Sequence, residues 1–290
     1  MINVFCRELN DDRMQFVDLS VICQKTAIEN ALFIIHHELL WSLPNTNSVL
    51  KEISDNYKFC KKFIIVFIVD DFEGQYNLYK NLLLIRTSIT ASKKRKNEIV
   101  LPYVWEGMDV PFGPVRNIKP SVGFCGQNGI HRKKLIHTFQ QSDVVVTNFV
   151  IREHFWGGAP HNPDIIKDFR KNMEENAFIL SQRGNGNFSI RFYQTLSAGR
   201  IPVLVNTDME LPFKDIINWS EYIVFEKNEE DCLNKIKQLH HSGDYLLMQE
   251  KCSELYNNYF APKVFFDQLM MQIVRKYCVP NILFPSIFNL

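Results

Sequence analysis

From Asn176 to Asp208 the chain reads NAFILSQRGNGNFSIRFYQTLSAGRIPVLVNTD. The apolar run Ala177–Leu180 leads into Gln182-Arg183-Gly184-Asn185-Gly186-Asn187. A ten-residue helical pattern follows, stops at Gly199, and gives way to a second apolar run, Ile201–Val205. The order is strand, polar glycine loop, helix, strand. Such a unit sets backbone N–H groups and an arginine where a phosphate can sit. Gly184 and Gly186 suit a tight turn and close approach to a ligand. Ser189 stands where it can cap the helix. Arg183 before the loop and Arg191 in the first helical turn are spaced to bracket a diphosphate. Within the helix Ile190, Tyr193 and Leu196 form one face, while Arg191, Gln194 and Thr195 share another.

Working outward, the same alternation of apolar runs and helical patterns continues on both sides. Towards the N-terminus, Ile2–Cys6, Leu32–Ile35, Phe63–Val69 and Ile99–Tyr103 read as strands, with helices expected near 46–58 and 75–86. This pattern implies a mostly parallel sheet covered by helices. The Pro- and Gly-rich stretch Glu106–Pro120 reads as a linker. Ser121–Gly126 restarts the pattern as a strand. A helix over 131–141, the apolar run Val144–Val146 and a helix from Pro163 to about Glu175 follow, Pro163 suiting a first turn. After the glycine-loop unit come a turn at Leu211-Pro212-Phe213, a strand over Tyr222–Phe225, and helices near 228–240, 243–258 and 262–277.

Composition narrows the class. With 290 residues, 46% hydrophobic, 22% charged and a net charge of +1, the chain has the composition expected of a soluble globular protein. Near-neutral charge argues against generalised attraction to nucleic acid or anionic membrane. The one basic run, Lys93-Lys94-Arg95-Lys96, reads as a solvated loop. The N-terminus is charged within seven residues and has no apolar signal segment, and Phe63–Val69 is far too short to span a bilayer. Seven widely spaced cysteines, with no CxxC pair, argue against a disulfide framework. The expectation is a cytoplasmic location (host cytoplasm for a virus-encoded chain) and no membrane span.

The central stretch resembles the C-terminal signature of the exostosin-like glycosyltransferases, family 47. The resemblance rests on ordered blocks: Arg183-Gly184, Ser189-Ile190-Arg191-Phe192, Ala198-Gly199, Ile201-Pro202-Val203, Leu211-Pro212-Phe213 and Asn218-Trp219-Ser220. Pro120–Gly126 and Arg152-Glu153-His154-Phe155-Trp156 also resemble family blocks. The match runs over roughly 118–260, and the compact chain is most similar to short soluble members of bacterial or viral type. The resemblance implies an α/β, GT-B architecture with two Rossmann-like domains facing a central cleft. The domains expected are residues 1–117 on the acceptor side and 118–262 on the nucleotide-sugar side. Residues 263–290 form a C-terminal helix and tail that could pack back on the first domain.

The resemblance also implies an inverting transfer from a UDP-sugar to a hydroxyl of a glycan acceptor, with xylose or galactose as first donors to test. In GT-B enzymes arginines and a helix N-terminus meet the charge left on UDP, so no metal and no further cofactor are expected. The nucleotide-sugar residues implied are Arg152, Arg183, Gly184, Asn187, Ser189, Arg191 and Gln194. The family usually places Glu where this chain has Gln194, and glutamine grips a hydroxyl without charge assistance. That departure motivates a second reading, a catalytically silent glycosyltransferase-like partner subunit. Homo- or hetero-oligomer formation is left open.

The base that takes the acceptor proton should come from the first domain, at the carboxyl ends of its strands. Asp70 and Asp71 after Phe63–Val69 lead the candidates. His37, with His36 and Glu38, follows Leu32–Ile35, and Glu106 and Asp109 lie in the linker. Beside Arg152, the aromatic stretch His154-Phe155-Trp156 suits stacking on a sugar. His36, His37, His154 and His161 do not form a metal set. A dehydrogenase or epimerase is set aside because no GxGxxG follows the first strand.

Overall fold

A computed structural model describes residues 1–9, 11–41, 44–105, 107–108, 112–159 and 161–278. Glu106 and Asp109 of the expected base candidates lie outside the described residues, as does the side chain of Trp156. The elements run β1 (Ile2–Cys6), β2 (Cys23–Lys25), β3 (Phe33–Ile35), β4 (Leu40–Trp41), α1 (Thr46–Asn56), β5 (Phe63–Val69), β6 (Leu82–Arg86) and β7 (Glu98–Val100). Then come β8 (Ser121–Gln127), α2 (Lys133–Gln141), β9 (Val146–Arg152), α3 (Pro163–Glu175), β10 (Phe178–Leu180), α4 (Ile190–Ser197), β11 (Ile201–Val205), β12 (Val224–Glu226), α5 (Glu229–Ser242), α6 (Asp244–Tyr259) and α7 (Pro262–Tyr277).

Two parallel sheets result. The first has seven strands in the order β2-β1-β3-β5-β6-β7, with β4 paired to the far end of β5, and the second has five in the order β12-β11-β10-β8-β9. The central strand β5 is apolar at every position because both its faces are covered. Ile64, Val66 and Ile68 pack with Leu50 and Ile53 of α1. Ile65, Phe67 and Val69 point the other way, into a core that is continuous with that of the second sheet.

The helix expected over 75–86 does not form. Residues 75–81 are irregular, and Leu82–Arg86 is a fully buried strand between β5 and β7. The run Leu82-Leu83-Leu84-Ile85 satisfies both a helical and a buried-strand pattern, and pairing with β5 decides between them. Residues 75–81 pack Tyr76, Leu78 and Tyr79 on the α1 face, and the opposite face is covered from the other end of the chain. Phe265 and Phe266 of α7 meet Phe16 at ring-centre distances of 5.4 and 6.0 Å, and Phe16 in turn packs on Phe67 at 5.4 Å. Asp267 on α7 accepts hydrogen bonds from Ser20 and the Val21 amide, and the Tyr277 hydroxyl donates 2.5 Å to the Lys96 carbonyl. The C-terminal helix therefore completes the first sheet. In the second sheet Ile179 of β10 packs with Met173 of α3. Its neighbours Phe178 and Leu180 join the main core with Leu135, Ile136 and Phe139 of α2.

The linker is stapled to the second sheet by Arg200, whose residue is 1% exposed. Its guanidinium donates to the carbonyls of Met173 and Glu174 at the end of α3, of Phe112 and Gly113 in the linker, and of Gly199. Gln249 on α6 adds a reciprocal pair with the backbone of Val115. Replacing Arg200 by Met leaves those carbonyls buried without a donor. The expected loss is about 3 kcal/mol or more of unfolding free energy, read from the shift of a urea denaturation curve.

Candidate active site

The glycine loop lies between β10 and α4, at the carboxyl edge of the second sheet, and presses against the carboxyl edge of the first. The amide of Asn187 donates 2.9 Å to the hydroxyl of Ser88, just beyond β6. A Cβ built on Gly186 would come within 2.7 Å of Asp71 Oδ1 and 2.8 Å of the Asp71 Cα. A second seam runs alongside. The Ala91 amide donates 2.7 Å to the carbonyl of Asp208, Thr90 bridges to Met209, and Lys94 pairs with Glu210 at 2.5 Å. The cleft is thus a closed seam at the loop.

Arg183 is 6% exposed, and its guanidinium fork is gripped by the carboxylate of Glu73, Nη1 to Oε2 being 3.0 Å. This pairing holds Glu73 below the usual carboxylate range. Glu73 rides on a loop set by buried charge. Arg86 pairs with Glu98 at 2.8 Å and donates to the carbonyls of Phe72 and Gly74 on either side of Glu73. Asp70 accepts from the Phe72 amide and the Tyr76 hydroxyl. The sequence expectation put Arg183 on a diphosphate; the structure spends its charge on Glu73.

Asn187 is engaged in the same way. Its Nδ2 donates to the carbonyls of Thr207 and Asp208, and its Oδ1 accepts from Thr207. It fastens the loop to the segment after β11. Neither loop glycine has a positive φ, so the turn they make needs no left-handed backbone. Gly186 is needed for the close approach of Asp71. A Cβ on Gly184 meets only Arg132 Nη2 at 3.6 Å, which is ordinary contact.

Arg191 is different. Its Nη2 donates 2.6 Å to the Cys125 carbonyl at the end of β8, and its guanidinium lies 4.5 Å from the centre of the Phe124 ring. Its Nε and Nη1 are buried with no partner. Burial first, and then the neighbouring charge of Arg132, push its pKa down. Arg132, in the turn before α2, donates to the carbonyls of Gln127 and Gln182 and has its pKa lowered by burial. Neither arginine makes an ion pair among the described residues. Buried, unpartnered guanidinium nitrogens on Arg191, with half-buried Arg132 beside them and no ion pair to either among the described residues, are costly unless an anion joins them.

Ser189 occupies the N-cap position of α4, yet its hydroxyl makes no capping bond and is buried without a partner. The first amides of α4 therefore lack a side-chain cap. The two-faced helix expected from spacing is instead enclosed from Phe192 to Ser197. Gln194 is 8% exposed. Thr195 is turned inward, its hydroxyl donating to the Arg191 carbonyl and meeting that of Ser181.

The remaining candidates separate by environment. Asp70 is 5% exposed, and burial pushes its carboxyl up against the opposing effect of the Tyr76 hydroxyl. Asp71 is exposed and faces the glycine loop. His37 is partly exposed and stands 3.7 Å from Glu38. His36 meets it edge to face, with ring centres 4.9 Å apart and Nε2 buried without a partner. Arg152 pairs with Asp168 of α3, which leaves it serving that helix. Phe155 is 65% exposed. Among the described residues no group of three or more His, Cys, Asp or Glu could hold a metal ion, and no helix is long and apolar enough to cross a membrane.

Arg132 is the site residue that sequence reading missed. Its signal was faint: an arginine after Gly129, in the loop where a strand ending in glycine hands over to a helix.

Two parallel sheets meeting at their carboxyl edges, with a glycine loop and helix start between them, define a GT-B glycosyltransferase fold. Residues 95–239 match the Exostosin GT47 domain, half of the chain, and the chain belongs to that family. It is 29% identical to Exostosin-1 of Bos taurus over 96 residues, which are 32% of this chain and 13% of that protein. Identity to Exostosin-1c of Danio rerio is 39% over 57 residues, 20% of this chain and 8% of the relative. The matched segments are thus small parts of these much longer relatives. Among solved structures, the apo lipopolysaccharide outer core galactosyltransferase WaaB is similar in fold, with a TM-score of 0.53 and 10% identity, covering 95% of this chain and all of that one.

Gly186→Ala should open the seam and lower the melting temperature by several degrees, whereas Gly184→Ala should melt as the wild type does. Paired thermal melts decide this. His36, whose pKa burial lowers from 6.5 to about 4, gives a pH signature. Between those values the unfolded chain binds the proton and the folded chain does not, so stability falls as pH falls from 6.5 towards 4. The cost is at most about 3 kcal/mol. His36→Phe should flatten that slope in urea titrations at stepped pH.

Proposed function

We propose that the chain is a glycosyltransferase that moves a sugar from a UDP-sugar to a hydroxyl of a glycan acceptor, with inversion at the anomeric carbon. The observation that carries this reading is the pair Arg132 and Arg191, half-buried against the same Phe124 ring, with no ion pair to either among the described residues and two Arg191 nitrogens unpartnered. Family membership supplies the reaction class.

In this reading the diphosphate lies against Arg191, Arg132, the Ser189 hydroxyl and the first amides of α4. The acceptor oxygen attacks the anomeric carbon as its bond to the phosphate oxygen breaks, and UDP leaves with that electron pair. The two guanidinium groups and the helix start meet the developing charge in place of a metal. The acceptor proton goes to the carboxylate of Asp71, the aspartate that faces the loop, while Asp70 keeps the Glu73 loop in shape. Gln194 sits three residues after Arg191 on the same helix and serves the ribose hydroxyls by hydrogen bonding. Arg183 acts indirectly, by fixing the loop through Glu73. Xylose and galactose are the first donors to test.

Calorimetric titration with UDP tests the site. Arg191→Ala and Arg132→Ala should each weaken UDP binding at least tenfold, in line with loss of a charge-assisted contact. Full affinity in both variants would show the site to be elsewhere. Transfer activity should survive EDTA; activity lost with EDTA and restored by Mn²⁺ would count against the metal-free route.

A further inference from the structure

A set of aromatic rings runs from the glycine loop along the carboxyl edge of the first sheet, and the donor site does not use it. Phe188, the last loop residue before Ser189, lies nearly parallel to Tyr103, with ring centres 6.4 Å apart and an angle of 18°. Tyr103 stands at 82° to Trp105, with centres 5.0 Å apart. Trp105 in turn lies 6.5 Å from Trp41. All four rings are partly exposed, unlike the sealed cluster of Phe192, Trp219 and Phe260.

Their position follows from the topology. Trp41 is in register with Val69, two residues before Asp71. Tyr103 and Trp105 follow β7, beyond its carboxyl end. Phe188 reaches the set from the other sheet, and both its ring and the Asp71 carboxylate lie within 2.8 Å of where a Gly186 Cβ would be. One end of the ring set therefore abuts the carboxylate assigned as base.

The set is rigidly held. The Trp105 indole N–H donates 2.6 Å to the Arg13 carbonyl, and its ring packs 6.2 Å from buried Phe16. The Arg13 guanidinium lies 4.2 Å over the Trp41 ring and is bound by Asp11. Its side chain remains 50% exposed. Fixed aromatic faces bordered by a charged donor and a carboxylate suit a ligand with C–H faces and hydroxyl edges.

We propose that Trp41, Trp105, Tyr103 and Phe188 form a carbohydrate-binding surface that seats pyranose rings of the acceptor, with the reactive hydroxyl delivered at Asp71. This rests on the reading of the glycine loop as the donor site. The parallel pair Tyr103 and Phe188 offers a stacking face, Trp105 a wall at right angles to it, and Arg13 hydrogen bonds at the far end. Because Phe188 belongs to the donor loop and the other three rings to the first sheet, the surface exists only when the seam is closed.

Calorimetric titration of the full chain with cellotetraose, xylotetraose, chitotetraose and maltotetraose tests it, with UDP titrated into the same samples. At least one tetraose should bind, and Trp41→Leu and Tyr103→Ala should each weaken it tenfold or more while UDP affinity stays unchanged. Tyr103→Phe should retain binding, since the ring remains. Unchanged UDP affinity also reports that each variant is folded. No binding by any tetraose, or binding that survives both substitutions, overturns the proposal. A wild-type dimer in sedimentation that Tyr103→Ala dissociates, with no tetraose bound, overturns it too and makes the rings a chain-to-chain contact. Tetraose binding without UDP binding would sink the donor reading and leave the carbohydrate surface standing.

Discussion

The ion pair between Arg183 and Glu73 is the contact on which the site depends. It joins the glycine loop of the second sheet to a loop of the first that Arg86, Glu98, Asp70 and Tyr76 hold rigid. With Arg183 buried and the Glu73 side chain 38% exposed, the pair gains its worth from geometry, since desolvation of the arginine offsets part of the attraction. Here the geometry is bidentate and is reinforced by Asn187, which ties the same loop to Ser88 on one side and to the segment after β11 on the other. With Arg183 paired in this way, the positive charge without an ion-pair partner falls on Arg191, in the first turn of α4, and on Arg132, in the turn before α2.

That division of labour links stability to function. Arg183, of the loop, closes the cleft through its ion pair, and Arg191, in the first turn of α4, has no ion pair among the described residues and two buried nitrogens without a partner. The closed seam in turn brings Phe188 to Tyr103 and Asp71 to Gly186. The proposed donor cradle, base and aromatic surface therefore share a single constraint. Loosening the loop would disperse all three.

Much of this was legible from residue order. The strand–loop–helix–strand unit around Arg183 forms as read, because Phe178–Leu180 and Ile201–Val205 are short apolar runs bounded by polar and glycine residues. The helix from Pro163 was marked by its first-turn proline, and Asn162 caps it. The strand at Leu82–Arg86 was misread as helix, since an all-apolar run shows no period and only its pairing with β5 and β7 settles the matter. Arg132 went unnoticed because nothing in its local sequence distinguishes it from a surface arginine. Ser189 stands at the expected position without the expected bond.

The sequence by itself determined the α/β alternation, the parallel sheets, the family and the helix start after the glycine loop, because these follow from local periodicity, loop residues and ordered motifs. Tertiary structure alone decided which arginine is free, which aspartate faces the loop, and that α7 returns to cover the first sheet. Those outcomes depend on groups far apart in the chain, such as Glu73 with Arg183, Asp71 with Gly186 and Phe265 with Phe16. A charge is available to a ligand only when no partner reaches it, and partners are assigned by folding.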